Sequence, residues 1–399
     1  MTSLGLLIHG PEVIDEGEAG DAIETLILAG FELEAALGGI TGKTAVIDAG
    51  LQHAIDINKD MKPSEVMQYF LERGLDFIVL LNHAKTEESG IMLGEGILRN
   101  FMDRHRPGAK ANLSVVQLEY SSRLIIRWLL KQGDADTYKR LIEVFSEFKE
   151  QNPYKLESRC KNESNLVYRE IRGVHPGEKI VVDGVIIGTT AHDDRVTLIA
   201  QAGKLVNIRG GTLIVHNLKK LPPLDLEKAM IKTARVIRRT NPKFIGSVSS
   251  KGSGKKVAGF FHTVETLFPR LEGQDADIAI AVTIGDDTTS IAGDILKRFG
   301  IRMIGITDGD ADGLIDGIES GTLDEYAKFM PRGSVIIRLK PEMDDVVGER
   351  VKTEIFKGDD ELELEGNIEK QFEDLKSRII EIATVDLIGV LTSPACDRC

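Results

Sequence analysis

Short apolar runs recur along the first 120 residues, and segments with a helical period lie between them. Strands that read as continuous apolar runs are typical of parallel sheets covered by helices on both faces. The pattern therefore predicts an α/β domain over residues 1–150, which ends in a long helical region, Ser121–Glu150. The predicted strands are Leu4–Ile8, Phe31–Leu37, Phe77–Leu81 and Leu113–Leu118, and the predicted helices include Pro63–Arg73 and Gly94–Asp103.

The pattern changes in the middle of the chain. Residues 151–172 are polar and show little periodicity, which predicts a linker. From Gly173 onward, short apolar runs are separated by pairs such as Asp183-Gly184 and Gly210-Gly211, and such pairs favour the tight turns of antiparallel hairpins. We therefore expect a small antiparallel β domain over residues 173–223. Its predicted strands are Lys179–Ile187, Arg195–Ala200 and Gly211–Val215.

The rest of the chain returns to alternating strands and helices. It predicts a second α/β domain over residues 224–390, followed by a cysteine-containing tail over residues 391–399. The predicted fold class is therefore α/β, with two parallel-sheet, Rossmann-like domains joined by a small antiparallel β unit. The predicted strands of the second domain are Phe244–Val248, Ile278–Ile284, Arg302–Thr307 and Ser334–Leu339, and its predicted helices include Val257–Phe268 and Ser290–Phe299.

The last predicted helix carries a narrow apolar seam. Apolar residues spaced in steps of four and three fall on one side of a helix, where they can pack on their own domain or form a dimer contact. Both interpretations stay open at this point, together with membership in a larger protein complex. The seam consists of Ile368, Phe372, Leu375, Ile379 and Ile382.

Charge and composition narrow the class of protein. The 63 acidic and 50 basic side chains give a net charge of −13, which favours solubility and argues against a chain that coats nucleic acid along its whole length. We expect neither a signal peptide nor a membrane span, because the chain has no basic leader and no run of roughly 20 apolar residues. Three cysteines are too few for a disulfide framework, so we expect a cytoplasmic protein.

The loops that follow the predicted strands of the first domain are polar and rich in glycine. Ligands of open parallel sheets bind outside the carboxyl ends of the strands. Gly42, Lys43 and Thr44 are predicted to hold phosphate, since glycines let the backbone approach an anion and the lysine adds a charge. The loop is not a Walker A motif, because leucine occupies position 37, and a tight turn with an exposed lysine is the alternative. A second polar site is predicted from His9, Asn82, His83, Lys85 and Glu119, in which His9 and His83 could meet across neighbouring strands.

The second domain offers a basic loop and several aspartates at its predicted strand ends. Lys251, Gly252, Gly254 and Lys255 are predicted to open a helix and to hold phosphate. Mg²⁺ is typically held by one or two carboxylates together with substrate phosphates, so the loops predict a Mg²⁺–phosphate site. The alternatives are aspartates that cap helices and turns, or a calcium loop that begins at Asp308. The predicted metal ligands are Asp286, Asp287, Asp308 and Asp310.

Basic residues concentrate between Lys219 and Lys256, where eleven lysines and arginines face only two acidic residues. This segment could contact nucleic acid phosphates, although it carries almost no aromatic residue on which a base could stack. A solvated basic helix face is the alternative. At the end of the chain, Cys396 and Cys399 supply two thiolates where a structural zinc site needs four ligands. A metal completed by Cys160, by a partner or by a second copy, a redox pair, and an exposed reduced tail all remain open.

Several motifs together carry a resemblance to a known family. Ile8–Asp15, Gly38–Ala45, Asn82–Gly90, Gly285–Thr289 and Ile304–Asp310 resemble an uncharacterised archaeal family of methanogens, known as a domain of unknown function. The resemblance covers most of the chain and implies an archaeal cytoplasmic origin, but it supplies no activity and no catalytic residues.

A fainter resemblance relates the second domain to the Toprim fold of topoisomerases and primases. It depends on the order of strands and helices and on the motif Asp308-x-Asp310-x-Asp312-Gly313. A Toprim site has a glutamate after its first strand, whereas this sequence has Ser249, Ser250 and Lys251 after the predicted strand.

Three functional hypotheses follow. The first is a protein that binds a phosphorylated small molecule or nucleotide, with Mg²⁺-dependent phosphoryl chemistry of unknown substrate. The second is a nucleic-acid-associated, Toprim-like protein that uses the small β domain and the basic segment. The third is a non-catalytic accessory or scaffold protein of a methanogen complex, which would use its last helix and its terminal cysteines.

Overall fold

The four apolar runs predicted in the first domain are confirmed as strands. In the computed structural model they are four adjacent parallel strands on one side of a six-stranded mixed sheet, whose order is β2-β1-β3-β4-β5-β6. β5 is antiparallel to β4, and β6 is parallel to β5. The strands are β1 (Thr2–His9), β2 (Phe31–Gly38), β3 (Phe77–Asn82), β4 (Ser114–Glu119), β5 (Leu124–Leu129) and β6 (Lys149–Gln151). The structure describes residues 2–39, 42–59, 61–104, 112–154, 160–163, 165–182, 185–192, 194–229, 231–234, 255–272, 276–308 and 330–393.

Helices cover this sheet and bury its apolar strands. All six residues of β3 are buried, and Phe70 and Phe101 pack with Ile78 and Leu80 in one core. The strand order places β1 between β2 and β3, so the chain leaves β1 toward one side of the sheet and later returns on the other side. The carboxyl ends of β1 and β3 therefore flank a topological switch point. The helices are α1 (Glu12–Asp15), α2 (Glu18–Leu28), α3 (Lys43–Ala49), α4 (Pro63–Glu72), α5 (Glu87–Asp103) and α6 (Ala135–Val144).

Two predictions in the middle of the chain are wrong. The region Ser121–Glu150 is not one long helix, because it contains β5, α6 and the start of β6. A short apolar run fits a buried strand as well as a helix, and here pairing with β4 decides the outcome. The segment predicted as a linker, residues 151–172, contains a strand and most of a second one. Within residues 151–172 the residues of both strands are exposed or half-buried, so no buried apolar run marked them in the sequence.

These two strands belong to a small all-antiparallel part of the chain that begins before residue 173. It consists of two four-stranded sheets with the orders β13-β10-β9-β14 and β12-β11-β8-β7. Val182, Ile187, Val196 and Leu198 lie in its core. The strands are β7 (Cys160–Glu163), β8 (Leu166–Val174), β9 (Lys179–Val182), β10 (Val185–Thr190), β11 (Asp194–Gln201), β12 (Lys204–Arg209), β13 (Gly211–Leu213) and β14 (Ile231–Ala234). Residues 1–235 together form one compact unit, the first unit.

Residues 236–399 form the second unit, which contains another mixed sheet of order β19-β15-β16-β17-β18-β20. Its four central strands are parallel, and the two edge strands run antiparallel to them. The strands are β15 (Lys255–Phe261), β16 (Ala276–Ile284), β17 (Arg302–Thr307), β18 (Val335–Leu339), β19 (Glu361–Glu363) and β20 (Leu387–Thr392). The helices are α7 (Leu267–Glu272), α8 (Asp286–Phe299), α9 (Asp344–Glu354) and α10 (Ile368–Ala383).

The helix predicted over Val257–Phe268 is wrong, because its first half is β15. The run Val257–Phe261 is buried throughout and pairs with β16 and β19. In α10, Phe372, Leu375 and Ile379 are buried in the core of the second unit, and Ile368 and Ile382 pack against that core. The apolar seam therefore packs on its own unit, which was the first of its two interpretations.

Several predicted features lie outside the residues that the structure describes. They are the strand Phe244–Val248, the loop residues Lys251, Gly252 and Gly254, the aspartates Asp310 and Asp312, and the cysteines Cys396 and Cys399. Within the described ranges, no helix combines the length and the apolar character needed to cross a membrane.

Candidate functional site

Lys255 does not join the aspartates of the second unit. It is the first residue of β15 and pairs in register with Ala276, the first residue of β16. Its side chain therefore lies at the amino edge of the sheet, opposite the edge where Asp286 and Asp308 follow β16 and β17. Its Nζ atom lies 2.9 Å from Glu363 Oε2. The prediction that Lys255 opens a helix is wrong, because the basic loop precedes a strand.

Two helices from opposite faces of the second sheet begin at its carboxyl edge. Thr283 Oγ1 lies 2.9 Å from Thr289 Oγ1 of α8, so α8 covers the face to which Thr283 points. The next residue, Ile284, packs in the same core as Val347 and Val351 of α9. Successive residues of a strand point to opposite faces, so α8 and α9 lie on opposite sides of β16.

The first residues of these two helices meet beside Asp308. Asp286 begins α8, Asp344 begins α9, and Asp308 directly follows β17. A Cβ atom built on Gly285 would lie 3.9 Å from Asp344 Oδ2, which places the start of α9 against the start of α8. The backbone N–H of Glu342 donates to Asp308 Oδ2 over 2.6 Å and fixes that carboxylate between the two helices. We call Asp286, Asp308 and Asp344 the acidic edge.

Repulsion within the acidic edge is visible in the pKa of Asp344. Burial, the largest cause, and the negative charge of Asp308 together raise this pKa to about 6. The N–H of Asp345, 2.9 Å from Asp344 Oδ1, opposes the shift. Two carboxylates that repel each other in a partly buried site suit a hard cation. The described residues contain no cluster of three or more His, Cys, Asp or Glu side chains with a metal-binding arrangement.

Sequence reasoning missed Asp344. The signal was present, since Asp344 and Asp345 come five and six residues after the end of β18. Searching the loop after every parallel strand would have included them. Of the predicted metal ligands, the structure brings Asp286 and Asp308 to one edge, whereas the side chain of Asp287 and the whole of Asp310 lie outside the described part. Of the aspartate motif that supports the Toprim resemblance, only Asp308 lies within the described ranges, and the resemblance stays a prediction.

In the first unit, three predicted residues of the second polar site form one row across the sheet. His9 pairs in register with Asn82, and Asn82 pairs with Glu119. Glu119 is fully buried, and its carboxylate accepts hydrogen bonds from four donors. They are Asn82 Nδ2 at 2.7 Å, Ala84 N at 2.7 Å, Ser121 Oγ at 3.1 Å and Gln117 Nε2 at 3.2 Å. Glu119 therefore holds the loop after β3 in place, which is a structural role.

Lys85 is also engaged within the protein. Its Nζ atom donates to both carboxylate oxygens of the buried Glu178, at 2.6 and 2.7 Å, and to the carbonyl oxygen of Thr233 at 2.8 Å. Glu178 and Thr233 belong to the antiparallel β part of the first unit. Lys85 therefore fastens the loop after β3 to that part of the chain.

His9 and His83 each have one ring nitrogen fixed by an oxygen. His9 Nδ1 lies 3.1 Å from the carbonyl oxygen of Gly38, and His83 Nδ1 lies 2.8 Å from Glu18 Oε2. Burial, the largest cause, and the positive charge of Lys232 lower the pKa of His9 to about 4, against the opposing effect of the hydrogen bond to Gly38. Burial raises the pKa of Glu18, against the effect of its bond to His83. Because His9 is the last residue of β1 and His83 directly follows the neighbouring strand β3, both histidines lie at the switch point.

The predicted phosphate loop of the first unit begins α3. Gly42 precedes the helix, and Lys43 and Thr44 are its first residues. The side chain of Lys43 is buried, with 1% of its surface exposed, so the alternative of an exposed lysine is wrong. Phosphate binding by Gly42, Lys43 and Thr44 stays a prediction, as does nucleic-acid binding through residues 219–256, of which 230 and 235–254 lie outside the described ranges.

Comparison with known proteins shows one family. Residues 6–359 match the family described as "Uncharacterized protein conserved in archaea (DUF2117)". The chain is 35% identical over 356 residues to "Uncharacterized protein MJ0065" of Methanocaldococcus jannaschii. The aligned region covers 86% of this chain and 89% of the relative. No solved structure matches the chain. The family match includes the carboxyl edges of both sheets. Because it covers most of the chain, the chain belongs to the archaeal DUF2117 family.

Proposed function

We propose that this protein binds a phosphorylated small molecule together with Mg²⁺ at the acidic edge of the second unit. The observation that carries the proposal is the meeting of two helix starts, α8 and α9, from opposite faces of the sheet beside Asp308. Ligands of open α/β sheets bind at the carboxyl ends of the strands, so this is the expected location for a site.

The cation is assigned to Asp308 and Asp344. Mg²⁺ is usually held by one or two carboxylates, while waters and substrate phosphates complete an octahedron. The mutual repulsion of these two carboxylates would be relieved by a bound cation. Asp286, at the start of α8, would contact the ion through water.

The phosphate is assigned to the starts of α8 and α9. The first backbone N–H groups of a helix have no partner within the helix and attract anions. Neither helix start is capped by the side chain of its preceding residue, Gly285 or Met343. The aspartates in both first turns would repel a bare phosphate. Cation and phosphate are therefore expected to bind together, each strengthening the other.

Two further parts of the proposal concern fold and mechanism. We infer that both sheets are Rossmann-like, since each has four adjacent parallel strands and, in the second unit, helices on both faces. Phosphoryl chemistry at such a site would depend on positioning and on charge neutralisation, without a covalent protein nucleophile.

The proposal is tested by the melting temperature of the purified protein with nucleotides and sugar phosphates, each with and without Mg²⁺. A ligand at 100 times its dissociation constant stabilises the native state by about 2.7 kcal/mol. That corresponds to roughly 5–10 °C for a unit of this size. The shift should require both components and should disappear in Asp308→Asn. Asp359→Asn, a change at an exposed aspartate of the same unit, should keep the full shift. No shift across the panel, or an equal shift in Asp308→Asn, argues against the proposal.

The acidic edge should also lower the stability of the ligand-free protein, and Asp344→Asn should therefore be stabilising at neutral pH. The folded pKa of Asp344, about 6, exceeds its ordinary value of 3.8, so the folded state binds more protons between these values. Stability contributed by this group consequently falls as pH rises from about 4 to 6 and stays lower above that range. The full shift corresponds to about 3 kcal/mol, which we reduce to about 1–2 kcal/mol because the side chain is partly exposed.

Urea denaturation without Mg²⁺ measures this effect. Asp344→Asn should raise the free energy of unfolding at pH 7 and leave it nearly unchanged at pH 4. Equal or lower stability of the variant at pH 7 would show that Asp344 is not repelled by its surroundings.

A further inference from the structure

The last strand of the second unit lies at one edge of its sheet. β20 is the terminal strand in the order β19-β15-β16-β17-β18-β20. We propose that β20 pairs in antiparallel orientation with β20 of a second copy of the chain, so that two six-stranded sheets join into one continuous sheet. This interaction surface is independent of the ligand site proposed at the acidic edge.

The backbone of β20 has one side available for pairing. On its other side the strand pairs antiparallel with β18. Within the residues that the structure describes, no backbone group of residues 387–392 bonds to any element other than β18. An edge strand points every second residue's N–H and C=O groups outward, and another extended strand can bond to this row. The outward side of β20 can therefore accept one more strand.

The side chains of β20 favour such pairing. The strand's sequence, LIGVLT, contains neither a charged residue nor a proline. Ile388 is 55% exposed and Val390 is 38% exposed, and Val385, which lies just before the strand, is 77% exposed. An edge strand of this length without charge and with exposed apolar side chains is a typical site of strand pairing. β20 therefore offers a partner both backbone groups and apolar surface.

β20 differs in this respect from the other sheet edges of the described chain. Natural proteins prevent unwanted pairing by making edge strands short or by placing charges on them. Every other edge strand among the described residues carries a charged residue or is only three residues long. The charged ones are β2, β6, β7, β12, β14 and β19, and the short uncharged one is β13. The missing protection at β20 indicates that this edge is covered in the assembled protein.

A second copy of the chain is the partner that this strand fits. In an antiparallel pair about a two-fold axis the same strand meets itself, so a charged strand would bring like charges together. β20 avoids this repulsion because it is uncharged, although the whole chain has a net charge of −13. Pairing also occupies the unprotected edge of both copies and leaves the short, charged strand β19 at each end of the joined sheet. The assembly therefore closes at two chains.

Sedimentation velocity of the full chain tests the proposal, under reducing conditions that prevent Cys396 and Cys399 from linking two copies. The parent protein should form a dimer as its concentration rises. Val390→Lys should weaken the dimer by at least about tenfold, because two lysines would replace apolar contacts near the two-fold axis. Val206→Lys changes an exposed valine on the charged edge strand β12 and should dimerise like the parent.

A mixture of charge variants distinguishes a second copy from any other partner of β20. Val390→Glu alone should dimerise as weakly as Val390→Lys. An equimolar mixture of the two variants should recover the dimer, because opposite charges then lie near each other across the axis. Such recovery requires residue 390 of one copy to lie close to residue 390 of the other. It would not occur if β20 paired with a different protein or with another part of its own chain.

A further measurement needs no variant that must fold. In hydrogen–deuterium exchange of the parent protein, the backbone amides of Leu387–Thr392 should exchange more slowly as protein concentration rises. A parent protein that stays monomeric at high concentration, an undiminished dimer in Val390→Lys, no recovery in the mixture of charge variants, or exchange of β20 that does not depend on concentration would each overturn the proposal.

Discussion

Replacing Glu119 with alanine is expected to destabilise the first unit by roughly 3–5 kcal/mol. Four hydrogen-bond donors converge on this fully buried carboxylate, from Gln117, Asn82, Ala84 and Ser121. Leaving a buried donor without its acceptor costs about 1–3 kcal/mol, and a cavity adds to this, although partial relaxation and entering water reduce the sum. The expected loss is large because one side chain organises the entire loop after β3.

Two further variants make this prediction specific. Glu119→Gln keeps one acceptor oxygen and should lose about half as much stability as Glu119→Ala. Glu95→Ala changes an exposed glutamate on α5 and should alter the free energy of unfolding by less than about 0.5 kcal/mol. Urea denaturation at pH 7 provides all three values. If Glu119→Ala were as mild as Glu95→Ala, the convergence of donors on Glu119 would not describe the folded protein.

Breaking the contact between Lys85 and Glu178 is expected to cost about 2–4 kcal/mol in either single variant, Lys85→Met or Glu178→Gln. Glu178 is buried and receives Lys85 Nζ on both carboxylate oxygens. Removing one partner of a buried ion pair leaves the other charge uncompensated, which costs more than the pair itself contributes. The double variant should therefore lose clearly less than the sum of the single variants, with a coupling energy of at least about 1.5 kcal/mol.

The pair between Arg73 and Glu34 is the control for this cycle. Its Nε–Oε2 distance is 2.7 Å, but 54% of the arginine side chain is exposed, so its coupling energy should stay below about 1 kcal/mol. Equal coupling in both cycles would mean that Lys85 does not fasten the loop after β3 to the antiparallel β part of the unit.

The sequence supports prediction of strands that are buried and paired with parallel neighbours. β3, β4 and β17 are buried almost throughout, because both of their faces are covered, and each was predicted from its apolar run. β8 could not be found in this way, since its half-buried residues include the charged Arg169 and Glu170. β15 was mistaken for the start of a helix, because Val257, Phe260 and Phe261 also fit a helical period. For a short apolar run, only its pairing partners decide between the two structures.

For the candidate sites, too, the sequence predicts some features and leaves others unpredicted. The rule that ligands bind at strand ends led to Asp286, Asp308, His9 and His83, which lie at the carboxyl edges of their sheets. It could not show that Lys85 is engaged by Glu178, 93 residues away, or that Glu18 holds His83 across 65 residues. Such contacts depend on how helices and the antiparallel part pack on the sheet. The same rule misplaced Lys255, because Lys255 itself begins the strand β15 and so lies at the amino edge of the sheet.

The most direct test of the central claim is a calorimetric titration of Mg²⁺ into the protein in the presence of inorganic phosphate, the group that all candidate ligands share. We predict saturable binding of about one Mg²⁺ that weakens when phosphate is omitted. Binding should be lost in Asp308→Asn and retained in Asp359→Asn. Absence of Mg²⁺ binding to the parent protein, or unchanged binding in Asp308→Asn, would contradict the assignment of the acidic edge as a Mg²⁺–phosphate site.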